Sequence, residues 1–435
     1  MSCSNSFKTI FLSCFNYYYV LGCFFILMSN TNVYAQLQNN EKGNSYTKSS
    51  EYVWITHPYH IATLDSLIQL SEMLALDKSD YNADYLKACL TSQVLLPRQQ
   101  DSLKADSVIQ KIAIKFFTSL AYGKAPLLEG PGVRFKQNAY NVNVLILNYL
   151  KRNALPQLVN YLEDNASEVG TILNTIKLYR DSLPQKAEKI KLLEKAANEY
   201  RWLHAISKNQ RVILVNLPSA QLKVYENNNI LIDMKLVVGK PSTPSHSLSS
   251  MIRKLIVNPY WTVPNSIAVN EMLPKLRKDR DYADRIHLEI LSSNGKILNP
   301  NNIDWYSVDA GNFPYTLRQS TGCDNSLGVL KLDFDSRFGI YLHDTPEKSL
   351  FNYNKRFLSH GCMRMEKPIQ IAKLLMDKNP LALDSIDLEK CYKNPSPIVI
   401  PLPVATPLVV WYSLVDFDSK GNVVFFNNVY HRNIY

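Results

Sequence analysis

Ser359-His360-Gly361-Cys362-Met363-Arg364, preceded by Tyr341-Leu342-His343-Asp344-Thr345, is the densest cluster of reactive side chains in the chain. A thiol with an ordinary pKa of about 8.5 is a modest nucleophile at neutral pH, and a neighbouring imidazole or cation raises its thiolate fraction. His360 and Arg364 both stand within two residues of Cys362. Gly361 lets a substrate carbonyl approach the backbone closely, and N–H groups at such a turn can hold a developing oxyanion. Two histidines compete for the role of base. If Ser359 to Cys362 is extended, His360 and Cys362 share a face, whereas His343 closes a separate strand, Phe338 to His343, that must pack alongside. Spacing alone leaves the choice open, and it leaves a buried structural thiol as the alternative to a catalytic one.

Outward from this cluster the hydrophobic pattern has the period of strands. Leu327 to His343 reads as strands, and Ile369 to Met376 as a short helix after Pro368. Upstream, Val212 to Leu217, Gln221 to Glu226 and Ile230 to Val238 are β-branched runs separated by turn residues. Asn270 to Asp284 looks helical, and Ser292 to Gln319, rich in Asn, Gly, Pro and Ser, reads as an insertion carrying a mobile loop. Downstream, Leu408 to Leu414 and Asn422 to Phe426 flank Asp418-Ser419-Lys420-Gly421 as a terminal hairpin. From Ile61 to about Leu203 the pattern changes to apolar stripes at spacings of three and four, such as Val108, Ile109, Ile112, Phe116, Phe117 and Leu120. A chain of 435 residues exceeds one ordinary core, which stops growing at about 250 to 300 residues. The expected class is α+β: a helical region over 36–205, a β-rich domain over 206–380 with an insertion at 262–318, and a C-terminal extension with a hairpin over 381–435.

Residues 1–35 read as a secretory signal. Lys8 is their only charged residue, Tyr17 to Met28 is apolar, and Val33-Tyr34-Ala35 offers small residues for cleavage. Export is therefore expected, with membrane anchoring if the segment stays uncleaved. Of seven cysteines, Cys3, Cys14 and Cys23 fall in that segment, leaving Cys89, Cys323, Cys362 and Cys391. These are too few and scattered for a disulfide framework, and no metal-ligand spacing is present, so no metal or cofactor is expected. The formal charge of +10 is spread without basic runs, which excludes a nucleic-acid partner and suits attraction to an anionic envelope. Trp54, His57 and His60 read as a surface loop rather than a metal site. His204, His246, His287 and His431 lack partners at ligand spacing and receive no role.

His343, a gap of fifteen residues, and Ser359-His360-Gly361-Cys362-x-Arg364 resemble the signature of the L,D-transpeptidase (YkuD-type) catalytic domain. Tyr200-Arg201-Trp202-Leu203, Asn258-Pro259-Tyr260-Trp261-Thr262-Val263-Pro264, Arg318-Gln319 and Tyr341-Leu342-His343-Asp344-Thr345-Pro346 resemble the larger multi-domain Gram-negative form, with a helical scaffold and a capping insertion. The resemblance covers about residues 198 to 380. It implies that Cys362 attacks a peptidoglycan stem peptide and His343 takes its proton, with the Asp344 carbonyl orienting the imidazole. It implies further that Gly361 and Cys362 N–H form the oxyanion hole, and that His360, Ser359 and Arg364 shape the site or position the donor. Tyr260, Trp261 and Arg318 would line the groove, and the protein would be periplasmic and associated with the cell wall. Where the family's loop between Arg318 and Leu327 carries prolines, this chain has Ser320-Thr321-Gly322-Cys323-Asp324. That substitution predicts an unpaired loop cysteine, with a Cys323–Cys362 bond as the alternative.

Overall fold

Apolar side chains spaced three and four apart fold residues 58–207 into helices, whose stripes up to 162 meet mainly in one core and whose later stripes, 169–206, bury mainly in a second core shared with strands. The computed structural model describes residues 53–434 except 92–98, 131, 137–138, 164–166, 183–185, 385–387 and 389–394; the signal segment and Cys391 lie outside the described residues. Helix α1 (Pro58–Gln69) begins with proline at its first position and buries Ile61, Leu64, Leu67 and Ile68. It is followed by α2 (Ala83–Thr91), α3 (Gln99–Tyr122), α4 (Val142–Leu150), α5 (Leu155–Glu163), α6 (Ser167–Ser182) and α7 (Ala187–Ser207). Trp54 is fully buried rather than on a surface loop. The Asp106 carboxylate accepts its backbone N–H at 2.7 Å and that of Ile55 at 3.0 Å. Among the described residues no helix is long and apolar enough to cross a membrane.

Beyond Ser207 the side-chain period drops to two. Strands β1 (Arg211–Asn216), β2 (Gln221–Glu226), β3 (Asn229–Gly239) and β4 (Leu248–Val257) are joined by short turns. The insertion then makes its own four-stranded sheet, in the order β5-β8-β6-β7, from β5 (Trp261–Thr262), β6 (Leu288–Leu291), β7 (Ile297–Leu298) and β8 (Thr316–Gln319). The segment 292–319 is therefore not a mobile loop. Trp305, Val308 and Leu317 bury against Leu273, Leu276 and Ile290, giving the insertion a core of its own.

The main sheet resumes with β9 (Leu330–Phe334), β10 (Leu342–His343), β11 (Phe357–Ser359), β12 (Met363–Met365) and β13 (Ile398–Trp411). Its order is β11-β3-β12-β10-β9-β4-β13-β1-β2, and β3 also pairs with β2, so the sheet curls back on itself around one apolar core. Residues 398–411 are no peripheral extension: β13 lies between β4, antiparallel, and β1, parallel. The terminal hairpin is smaller than expected and is built from β14 (Val415–Phe417) and β15 (Val423–Phe425).

The helical region docks on this sheet through α7. Tyr200 packs edge-on against Trp411 and Phe417, each at 5.2 Å between ring centroids. Beneath it the buried Asp416 carboxylate accepts Lys223 Nζ at 2.7 Å, Ser219 Oγ at 2.7 Å, Asn216 Nδ2 at 2.9 Å and the Tyr200 hydroxyl at 3.2 Å.

Candidate active site

Strand alternation builds the site. β10 and β12 run parallel with Leu342 opposite Met363 and His343 opposite Arg364, while β9 places Lys331 opposite His343. Leu342 and Met363 are buried in the core of the main sheet. Their neighbours Tyr341, His343, Cys362, Arg364 and Lys331 therefore face the other side.

His343 is buried, and its Nδ1 meets the Asp344 carbonyl at 2.5 Å. A neutral imidazole that donates from Nδ1 keeps Nε2 as an acceptor. The Leu327 carbonyl also faces the ring. Burial, then the Arg364 guanidinium on one neighbouring strand and Lys331 on the other, outweigh these carbonyls and hold the imidazole pKa down at about 3. Burial likewise pushes the Cys362 thiol up, opposed by hydrogen bonds from the Tyr341 backbone and phenol and by Lys331 and Arg364. The resting pair is thus thiol and neutral imidazole. No hydrogen bond joins the two among the described residues.

Asp344 and Gly328 fix the wall behind His343. The Asp344 carboxylate accepts the Val329 N–H at 3.0 Å and pairs with Lys348. Gly328 has φ +60°, and a Cβ there would lie 2.4 Å from Asp344 Oδ2, so only glycine fits. This turn carries the Leu327 carbonyl to the imidazole.

The nucleophile turn is pinned by Ser359. Its hydroxyl donates to the Cys362 carbonyl at 2.5 Å and accepts the Gly361 N–H at 3.2 Å. The Gly361 N–H, expected to serve an oxyanion, is donated to Ser359 in this structure. Gly361 has φ +114°, which breaks the extended run that would have set His360 beside Cys362. His360 is partly exposed, and its Nε2 meets Glu271 Oε1 of the insertion at 2.6 Å and Lys240 Nζ at 3.4 Å. Arg364 pairs with Glu347.

Of the groove residues, Tyr260 is exposed and carries the Arg318 guanidinium 4.1 Å above its ring. Arg318 is neutralised by Glu289, at 2.7 Å from Nε and 2.5 Å from Nη2, so it offers no free charge. Trp261 hydrogen-bonds the Tyr341 phenol. Tyr341 was not picked out from the sequence: its hydroxyl joins Trp261 of the insertion to the Cys362 sulfur, and burial followed by Cys362 pushes its pKa up. Its place two residues before His343, on the same strand face, was the available signal. Cys323 is disulfide-bonded and Cys362 is a free thiol, which overturns both the unpaired loop cysteine and the Cys323–Cys362 alternative. Among the described residues no group of three His, Cys, Asp or Glu side chains is placed to hold a metal.

The site thus sets a free thiol and a neutral imidazole on adjacent strands of a β fold, beside a small inserted sheet. Residues 210–400 match the family model of YkuD, the L,D-transpeptidase catalytic domain. The chain is 34% identical over 220 residues to a Haemophilus influenzae protein named "Putative L,D-transpeptidase". That alignment covers 51% of this chain and 44% of the relative, so the chain spans less than half the relative's length. Among solved structures, the catalytic domain of the E. faecium L,D-transpeptidase acylated by ertapenem is 11% identical with a TM-score of 0.22, covering 47% of this chain and 98% of that one. An L,D-transpeptidase from Mycobacterium smegmatis is 11% identical with a TM-score of 0.20, covering 46% and 58%.

Proposed function

We propose that this protein is an exported, periplasmic, cell-wall-associated L,D-transpeptidase that forms direct crosslinks between the third residues of neighbouring peptidoglycan stems. One observation carries the reading: Cys362 and His343 share one face of adjacent parallel strands, with Tyr341 between them, inside the stretch that matches the L,D-transpeptidase catalytic domain.

Cys362 attacks the carbonyl joining the third stem residue to the terminal D-alanine. Because thiol and imidazole are both neutral at rest, the proton passes to His343 Nε2 as the sulfur–carbon bond forms. The tetrahedral oxyanion takes hydrogen bonds from Cys362 N–H and from the Tyr341 hydroxyl, which turns from the sulfur to the oxyanion as the sulfur–carbon bond forms, while Gly361 N–H stays with Ser359. The imidazolium returns its proton to the leaving D-alanine amine, and a thioester remains. The side-chain amine of a neighbouring stem's diamino acid then loses a proton to His343, attacks the thioester and releases Cys362 as the thiol. Lys331 and Arg364 depress His343 while the site is empty, and a carboxylate on the donor stem would oppose that effect, making the base stronger once substrate is bound. His343 rather than His360 is the base in this scheme because Glu271 holds His360 Nε2. No metal or organic cofactor takes part.

Intact-protein mass after incubation with a carbapenem tests the reading. Wild type gains one adduct, Cys362→Ala gains none, and His343→Ala gains it far more slowly. Folded, reduced wild type that gains no adduct defeats it and favours a wall-binding protein without turnover. Digests with purified tetrapeptide stems then identify the acceptor: a crosslinked dimer means transpeptidation, a free tripeptide means carboxypeptidase activity, and a protein adduct means anchoring.

A further inference from the structure

The turn that presents Cys362 leans on a second turn, residues 239–247. Ser359 O accepts the Lys240 N–H at 2.9 Å and the Thr243 hydroxyl at 3.2 Å. Ser245 is fully buried, and its hydroxyl accepts the Gly239 N–H at 2.9 Å and donates to the Gly361 carbonyl at 2.6 Å. That last bond matters for the chemistry. The Gly361 carbonyl and the Cys362 N–H belong to one planar trans peptide unit and point in opposite directions. A hydroxyl that fixes the carbonyl therefore fixes where the Cys362 N–H points.

Ser245 is itself held from outside the motif. Arg432, near the C-terminal end, donates from Nη2 to the Ser245 carbonyl at 2.6 Å and from Nη1 to Ser247 Oγ. Its guanidinium lies 4.7 Å from the centre of the Tyr412 ring and 5.3 Å from that of Tyr430. The Tyr430 hydroxyl donates to the Gly239 carbonyl at 2.6 Å. Arg432 is paired in turn with Glu129 at 2.6 Å. Glu129 sits between α3 and α4, on a strap from the helical region that runs alongside the start of β4. Glu129 N donates to Ser247 O at 3.0 Å, Glu129 Oε1 accepts Ser247 N–H at 3.1 Å, and Ser249 Oγ donates to Val133 O at 2.9 Å. Oε2 of the same carboxylate meets His246 Nδ1 at 2.5 Å, and His246 stacks on Phe338 at 4.0 Å.

We infer that Ser245 and Arg432 are positioning residues that aim the Cys362 N–H, and that Glu129 ties this clamp to the helical region. The inference rests on the acyl-transfer reading above, in which that N–H holds the oxyanion. The helical region thereby contributes to the reaction without touching substrate, because its strap completes the chain of bonds from Glu129 through Arg432 and Ser245 to the nucleophile turn.

The test uses the full chain carrying Ser245→Ala, Arg432→Met, Arg432→Lys or Glu129→Gln, with two readouts. The first is the limiting rate and half-saturating concentration for acylation of Cys362 by a carbapenem. The second is site-resolved alkylation by iodoacetamide, with the buried free thiol Cys89 of the helical region as an internal control for global loosening. A misaimed reacting group costs up to about a hundredfold, so Ser245→Ala and Arg432→Met should lower the limiting rate about tenfold or more while half-saturation stays within about twofold. Arg432→Lys should recover part of the loss, and Glu129→Gln should show a smaller fall of the same kind. Alkylation of Cys362 should quicken in Ser245→Ala and Arg432→Met while that of Cys89 stays at the wild-type rate. Unchanged acylation and Cys362 alkylation in both variants overturn the clamp, and so does parallel quickening at Cys89. Wild type that resists the carbapenem overturns the acyl-transfer reading instead, and the alkylation arm still decides whether these residues hold the turn.

Discussion

Two buried polar centres lie in the β-rich half, and they handle burial in opposite ways. At the seam with α7, Asp416 is kept ionised: burial alone would raise its pKa, but Lys223, Asn216 and Ser219 outweigh it and the carboxyl stays below its usual range. In the candidate active site, burial wins. His343 is held neutral with a pKa of about 3, and the Cys362 thiol is pushed up. A compensated ion locks two layers together, because removing either partner strands a buried charge. An uncompensated neutral pair stores reactivity, because charge appears only when substrate arrives. The same sheet supports both, one at each end of its strands.

The sharpest way to break the comparison is His343→Gln, which removes the base and keeps the bulk. Loss of a positioned general base costs about 10²- to 10⁴-fold, to be read as the carbapenem acylation rate, with little change in unfolding midpoint. Asp416→Ala should do the reverse. It strands Lys223 and is expected to cost about 3–5 kcal/mol in denaturant unfolding, while Lys223→Met combined with Asp416→Leu costs much less because no charge is left unpaired. Equal losses in the single and double variants would remove the distinction between seam and site. Tyr341→Phe deletes one oxyanion donor and should slow acylation by about 10²- to 10³-fold. A loss of less than about threefold would return the oxyanion to backbone donors alone.

The smallest effect concerns pH. His343 titrates at about 3 in the folded chain and near 6.5 when unfolded, so above 6.5 both states are neutral and stability is unaffected. Below 6.5 the unfolded chain binds a proton that the folded one refuses, and stability falls as pH drops from 6.5 towards 3, by about 1.4 kcal/mol per unit at most. Asp416 has the ordinary carboxylate sign: its contribution is present above the unfolded carboxylate pKa and is lost only in stronger acid. Between pH 6.5 and about 5 the loss therefore belongs to histidine, and His343→Asn should flatten the unfolding midpoint over that window.

The strands β1 to β3 were legible because their β-branched runs end at tight turns, and the helices because their stripes are long. β13 was legible only at its end, where Leu408 to Leu414 reads as a strand, but of a terminal hairpin rather than of the main sheet. Pro401, Pro403 and Pro407 argue against a strand, yet the register with β4 breaks between Pro401 and Thr406, which absorbs Pro403. Its parallel pairing with β1 joins residues nearly two hundred positions apart, which no local pattern encodes. The insertion's helical part was legible, but its loop was misread because a small sheet with two-residue strands such as β5 and β7 has too little alternation to show. At the site, the reactive cluster around Cys362 was legible from its residue types, whereas the choice of His343 over His360 rested on the resemblance to the L,D-transpeptidase signature. The use of Gly361 N–H by Ser359, the neutralisation of Arg318 by Glu289 and the reach of Tyr341 to sulfur all depend on register and side-chain pairing. Those facts exist only once the strands are laid side by side.

The position of β13 has a consequence for how the molecule comes into being. The strand that seals the sheet between β1 and β4 is made after both of them, so their facing edges stay bare until it arrives. The Arg432 clamp lies later still. On the clamp proposed above, a chain cut before Arg432 would carry a Cys362 whose N–H is not yet aimed.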